Sequence, residues 1–233
     1  YVSRVHDPFL RGQLAIAALF CSLGFQYATW ASRIPAVKAD LGLTAAEVGV
    51  LLMAAGIGAV ASFPLVPVLV GRLGSARLAL LSALCLTLLL LALGAAPDYP
   101  VALLVMVADG VCVGCLNVAM NAQGTALVTR PEPNPMARLH ATFSAGSLLA
   151  AVLASGMTAA PSSVTAHFGV AAVVLVVLTG VARTGLLADE APTQPRQGRS
   201  RTGWSLPSRI TLWMCCAMAF GTVLASFNVE AFG

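Results

Sequence analysis

Charge is what this sequence has least of. Of its 233 residues only 9% are Asp, Glu, Lys or Arg, while 58% are hydrophobic. A soluble domain carries roughly 25% charged residues, and 13 basic and 9 acidic side chains could not cover a soluble fold of this length. Disorder is excluded from the opposite side, because disordered chains are poor in apolar residues. The remaining solvent is lipid, and the chain reads as an integral membrane protein. Lysine is almost missing. The only one, Lys38, falls in a loop between apolar runs, so a retinal Schiff base on a membrane helix is ruled out. No extracellular disulfide framework is visible, since all six cysteines (Cys21, Cys85, Cys112, Cys115, Cys215 and Cys216) lie inside apolar stretches. Cys112 and Cys115 have CxxC spacing, but no nearby His or Cys pair completes a four-ligand zinc site, so they read as small packing residues. The sequence has no H-E-x-x-H, no G-x-S-x-G elbow and no phosphate-binding glycine loop. No metal, no cofactor and no enzyme activity are therefore expected. The formal net charge of +4 comes from basic residues set singly or in short loops, which is not a nucleic-acid footprint.

What the sequence does have is long apolar runs. A helix needs about 20 apolar residues to cross the bilayer core, and seven segments meet that length: 12–32, 47–70, 78–96, 101–127, 141–160, 165–187 and 210–233. The first is too long for a signal peptide and no small-residue cleavage site follows it. Turn chemistry separates the runs, as in Arg33-Ile34-Pro35, Gly71-Arg72-Leu73-Gly74, Pro97-Asp98-Tyr99-Pro100 and Pro161-Ser162-Ser163. Short connections make neighbouring spans antiparallel. With the N-terminus in the cytoplasm, only Arg33 and Lys38 of the 13 basic residues fall on the outer side, the asymmetry that the positive-inside rule requires. The layout expected is an all-α, six-helix unit over 1–187, a Pro/Gln/Gly/Arg-rich cytoplasmic linker over 188–209, and an incomplete seventh helix over 210–233. Because it starts at Tyr1 and stops at Gly233 within an apolar run, the chain reads as a fragment whose C-terminal half is missing.

Residues 67–77, Pro-Val-Leu-Val-Gly-Arg-Leu-Gly-Ser-Ala-Arg, resemble the loop signature G-x-x-x-D-R-x-G-R-R of the major facilitator superfamily (MFS), keeping Arg72 and Gly74. Gly71 stands where that family has its Asp, and Pro67 where it has the first Gly. Three further stretches are similar to the bacterial branch that includes fucose-permease-like and MosC/YbjJ-like proteins: Ala31-Ser32-Arg33-Ile34-Pro35-Ala36-Val37-Lys38, then Asn117-Val118-Ala119-Met120-Asn121-Ala122-Gln123, then Arg138-Leu139-His140-Ala141-Thr142-Phe143-Ser144-Ala145-Gly146. The resemblance covers nearly all of 12–187. It implies the six-helix N-terminal half of a 12-helix MFS transporter, built as two inverted three-helix repeats, plus the start of helix seven. It further implies two halves that rock around a midplane site, with Arg72 and Gly74 in a gating loop.

Intramembrane polar residues are costly and are therefore the candidates for chemistry. Asp109 lies roughly 12 Å into its span, where an ionised acid costs about 2.5–3.5 kcal/mol on insertion scales. It is the expected proton-coupling group. Asn117 and Asn121 follow on the same broad face of a 3.6-period helix, and Gly110 and Gly114 form a small-xxx-small pair that admits a close neighbour. In the first span Gln26, Trp30 and Arg33 share one face at i, i+4 and i+7. The resemblance puts the first and fourth spans on one central cavity, so Gln26, Trp30, Asn117 and Asn121 are the expected substrate-binding residues. A ring beside hydrogen-bonding groups suits a sugar-like or polyol solute. Plainer readings stand beside these: the Asn side chains as helix-to-helix hydrogen bonds, Trp30 and Arg33 as interfacial anchors, Gln123 as an end anchor and His140 as a loop group.

The function expected is secondary active transport of a small polar solute across the cytoplasmic (inner) membrane, with the N-terminus cytoplasmic. A proton or other ion would drive it, as in a symporter or permease. The alternatives are an efflux carrier of the same superfamily, a dimerising half-transporter, or a membrane-embedded hydrolase using Ser155 with His140 or His167. The partners expected are the lipid bilayer, the solute, the coupling ion and the remaining half of the chain, with no nucleic acid.

Overall fold

The computed structural model describes residues 8–127, 135–159 and 162–186. The described residues all fall within one compact unit of the chain, Tyr1–Asp189. The proposed linker (188–209) and seventh helix (210–233) lie outside the described residues.

Every described element is an α-helix: α1 (Pro8–Ala31), α2 (Ile34–Asp40), α3 (Ala45–Ser62), α4 (Val66–Leu73), α5 (Ser75–Gly94), α6 (Tyr99–Leu127), α7 (Pro135–Ala159) and α8 (Val164–Arg183). Six of them, α1, α3, α5, α6, α7 and α8, are long and apolar enough to cross a membrane. Their ends carry the local signals that start and stop helices. Thr44 and Glu47 close a capping box on α3, with the Thr44 N–H donating to Glu47 Oε2 at 2.8 Å and the Glu47 N–H to Thr44 Oγ1 at 3.3 Å. Ser163 caps α8 by accepting from the Ala166 N–H at 3.1 Å. Gly74 has φ 81°, a left-handed conformation that glycine adopts without strain, and it turns α4 into α5.

The expected second span, 47–70, is not one helix. Pro64 has no N–H to give to the turn before it and its ring crowds that turn. Helix α3 therefore stops at Ser62, the Phe63 and Leu65 N–H groups fall back on carbonyls three residues earlier (Val60 and Ser62), and α4 restarts with Pro67 in its first turn.

The packing repeats itself. Helix α1 packs on α7 as α6 packs on α3, and α1 on α8 as α6 on α5, while α5 meets α8 and α1 meets α6. These principal contacts are unchanged when α1, α3 and α5 are exchanged for α6, α7 and α8. The two closest crossings use glycine in the same way. A methyl on Gly24 of α1 would strike the Phe143 carbonyl of α7, and one on Gly146 of α7 would strike the Cys21 carbonyl of α1. At the equivalent crossing, Gly58 of α3 lies on the Val107 carbonyl of α6 and Gly110 of α6 on the Ala55 carbonyl of α3, with Gly114 against Ser62. The neighbour that Gly110 and Gly114 admit is thus α3.

The interior forms two apolar clusters. One gathers Leu19, Phe20, Leu23, Leu78, Leu86, Leu116 and Met120, and Cys115 is buried within it with Cys112 packed against it. The other gathers Phe25, Trp30, Leu51, Leu90, Met106 and Phe168. Along α1 and α6 the changeover falls between Leu23 and Phe25 and between Met106 and Cys115, at the level of Gln26 and Asp109.

Candidate functional site

The buried acid sits at that changeover. Asp109 is ten residues beyond the start of α6, roughly 15 Å at 1.5 Å per residue, about half the thickness of a hydrocarbon core. It is 5% exposed and accepts a hydrogen bond from Gln26 Nε2 of α1, itself 1% exposed, at 2.7 Å. The contact joins the two helices that the packing exchange interchanges. Gln26 Oε1 is buried without a partner among the described residues. An amide that can present either end makes a partner for both forms of a carboxyl group, donating its N–H to the anion or accepting from the acid.

The other expected site residues lie in three separate places. Asn121 Nδ2 donates to Asn117 Oδ1 at 2.8 Å and to the Asn117 carbonyl at 2.7 Å. This asparagine pair lies on an open part of α6, with Asn117 exposed and Asn121 half-buried, while Asp109 turns inward to α1. The single polar face expected for α6 is therefore two groups, one buried and one open. Trp30 is 6% exposed and packs within the second cluster, edge-on to Tyr27 with centroids 5.2 Å apart. Its neighbours include Ile34, Val37, Leu51 and Met106, which line a small apolar pocket with it. Arg72 is exposed at the end of α4, and Gly74 forms the turn after it.

Gln123 and Arg33, for which an end anchor and an interfacial anchor are the plainer readings, are both hydrogen-bonded to other helices. Gln123 is 2% exposed and donates from Nε2 to Ser75 Oγ at 2.7 Å, tying α6 to the first residue after the Arg72–Gly74 turn. Arg33 is 6% exposed; its Nε donates to His167 Nδ1 of α8 at 2.8 Å and its Nη2 to Ser162 Oγ at 3.0 Å. The Ser162 hydroxyl in turn donates to the Met157 carbonyl. The i+7 spacing from Gln26 marked Arg33 as sharing a face, but its partner is 134 residues away in sequence. His140 is exposed and stands edge-on to Phe20, centroids 5.1 Å apart. The Ser155 hydroxyl donates to the Ala151 carbonyl at 3.0 Å, and His167 Nδ1 is occupied by Arg33, so neither forms the dyad that a hydrolase needs.

Comparison with known proteins agrees with this architecture. Residues 14–232 match the family model described as Major Facilitator Superfamily. The chain is 34% identical over 165 residues to the uncharacterised transporter y4wD of Sinorhizobium fredii, covering 71% of this chain and 44% of that protein. It is 34% identical over 148 residues to an uncharacterised MFS-type transporter of Yersinia pestis, covering 62% of this chain and 38% of the relative. It is 35% identical over 143 residues to membrane protein MosC of Rhizobium meliloti, covering 61% and 35% respectively. The chain thus spans less than half the length of these curated relatives. It is a multi-pass membrane protein that belongs to the Major Facilitator Superfamily, and its all-α six-span unit has the fold of the N-terminal half of such a transporter.

Proposed function

We propose that the chain is the N-terminal half of a secondary active transporter that moves a small polar solute, sugar-like or polyol, across the cytoplasmic membrane by proton-coupled alternating access. The observation that carries the reading is the Gln26–Asp109 contact. An acid at mid-depth costs free energy that a merely structural hydrogen bond between amides would not. Among the described residues its hydrogen-bond partner is a neutral amide, not a cation, so no fixed positive charge holds it ionised. It also joins α1 to α6, the leading helices of two three-helix repeats related by the packing exchange, and such repeats move against the other half around a midplane site. The open Asn117–Asn121 pair supplies amide donors and acceptors for solute hydroxyls, with Gln26 and Trp30 of α1 as the further substrate-binding residues. Arg72 and Gly74, with Ser75 held by Gln123, form the gating loop at the other end of α6.

The test uses the full-length carrier in proteoliposomes with a panel of radiolabelled sugars and polyols. An inwardly directed proton gradient is expected to raise saturable uptake of at least one of them several-fold. Uptake of every solute that ignores the gradient would reject proton coupling. Orientation has its own check. A cysteine replacing Gln197 is expected to react with a membrane-impermeant maleimide only after the cytoplasmic side is opened, and labelling in intact cells would invert the proposed topology.

A further inference from the structure

Among the described residues Arg33 is a buried cation without a counter-charge. Its hydrogen bonds among the described residues go to two neutral acceptors, His167 Nδ1 and Ser162 Oγ. Burying a charge is tolerated when it is paired as well as hydrogen-bonded, and among the described residues no acid pairs with it. Three acids belong to this end of the bundle, where α1 and α5 finish and α3, α6 and α8 begin, and none of them bonds to Arg33. Glu47 Oε2 is taken by the Thr44 N–H and hydroxyl, both at 2.8 Å. Asp98 Oδ1 accepts from the Val101 N–H at 3.0 Å, and Asp40 is exposed at the end of α2.

The guanidinium is also aimed. Nε and Nη2 are held by α8 and by the residue just before its cap, which fixes the plane of the group. Nη1 has no partner among the described residues, yet it is not among their fully buried unpartnered atoms, which are Gln26 Oε1, Trp30 Nε1 and His167 Nε2. The residue's remaining exposure therefore includes this terminal nitrogen. Because His167 Nδ1 accepts from Arg33, a neutral imidazole carries its hydrogen on Nε2, which is itself fully buried, so His167 offers the guanidinium no further acceptor. The N-terminus of α8 adds a positive field of the same sign. Donors without acceptors beside a fixed cation select one chemistry.

We infer that Arg33, positioned by His167 and Ser162, is a receptor for a small carboxylate at the α1/α8 end of the bundle, with the anion bridging Nη1 and the free N–H of Nη2. The carboxylate is borne either by the transported solute or by a free organic anion. Neither the solute class nor Asp109 enters the argument, so the site stands or falls apart from proton coupling.

The experiment is thermal unfolding of the detergent-solubilised full-length carrier in sodium acetate against sodium chloride of equal ionic strength. Acetate is expected to raise Tm by a few degrees, saturating in the millimolar range expected of one bidentate contact. Arg33→Gln is expected to abolish the shift. Arg33→Lys keeps the charge but not the two-pronged geometry, and is expected to move the acetate midpoint up about tenfold. It keeps the test open where the glutamine variant does not fold. Gluconate and its neutral counterpart glucitol separate the sources: gluconate acting well below acetate, with glucitol inactive, places the carboxylate on a solute, and equal action of gluconate and acetate places a free anion there. No acetate shift in the wild type means the counter-charge is supplied within the full-length chain, and overturns the proposal. So does a shift that persists undiminished in Arg33→Gln.

Discussion

Asp109→Asn in the full-length carrier is expected to lose gradient-driven solute accumulation while keeping solute counterflow. Asparagine preserves the size of the side chain and its hydrogen bond with Gln26, which can donate to the new carbonyl as it does to the carboxylate at 2.7 Å. Only the exchangeable charge is removed. Accumulation needs the acid to load on one side and unload on the other, so it should fall to the equilibrated level. Counterflow needs only that the loaded carrier reorient, so it should remain within a few-fold of wild type. A ligand shifts a conformational equilibrium only through its differential affinity for the two states, and a proton on Asp109 would act through the amide facing it. Gln26→Leu removes that amide and should weaken both activities. Normal accumulation by Asp109→Asn would leave the carboxyl group as a packing residue.

The second large effect concerns the glycines that set the helix crossings. Gly110→Val and Gly146→Val are each expected to unfold the bundle or lower its Tm by many degrees, since even a single methyl at either position collides with a backbone carbonyl, Ala55 for Gly110 and Cys21 for Gly146. A carbonyl on a packed helix cannot swing aside as a side-chain tip can, so the crossing must open. Overpacking of this kind costs about 1–3 kcal/mol or more. Glycines on the same helices or their neighbours provide the control: a methyl on Gly156 of α7 or Gly180 of α8 meets nothing within 4 Å, and Gly→Ala there should be neutral or raise stability by up to about 1 kcal/mol. Equal losses at the crowded and the open positions would contradict the packing account, because helix propensity favours the substituted residue over glycine at every one of them.

These crossings explain why the spans were legible in the sequence and their pairing was not. Five of the expected apolar runs coincide with long helices, and a sixth contains α3 before it breaks, because the bilayer sets a length that composition alone reveals. In lipid, however, the packed and the exposed faces of a helix are both apolar, so hydrophobic periodicity does not say which side meets a neighbour. Leu104 of α6 is 71% exposed and Met106, two residues on, 1%, yet both are large and apolar. The small residues carry that information instead, and Gly110 and Gly114 marked a close approach without naming α3 as the partner. Pro64 was visible, but a run of apolar residues on both sides of it disguised the break it makes before α4.

The polar residues divide in the same way. Asp109 stood out because its cost in lipid is local and can be read from depth. That Gln26 is its partner depends on α1 meeting α6 across 83 residues of sequence, a matter of tertiary pairing. Arg33 and His167 are separated further still, and neither the face that Arg33 shares with Gln26 nor the position of His167 named the other as its partner. The asparagines illustrate the opposite limit: their angular position on α6 was readable, but only the packing of α1 and α3 decides that Asp109 turns inward and Asn117 outward.

Protons are expected to move with the solute through Asp109. In de-energised cells expressing the full-length carrier, a pH electrode records this directly when an accepted sugar or polyol is added to a weakly buffered suspension. The predicted result is a transient alkalinisation of the medium in the wild type that saturates with solute, and none in Asp109→Asn at matched expression and preserved counterflow. An alkalinisation of wild-type size in Asp109→Asn would contradict the account.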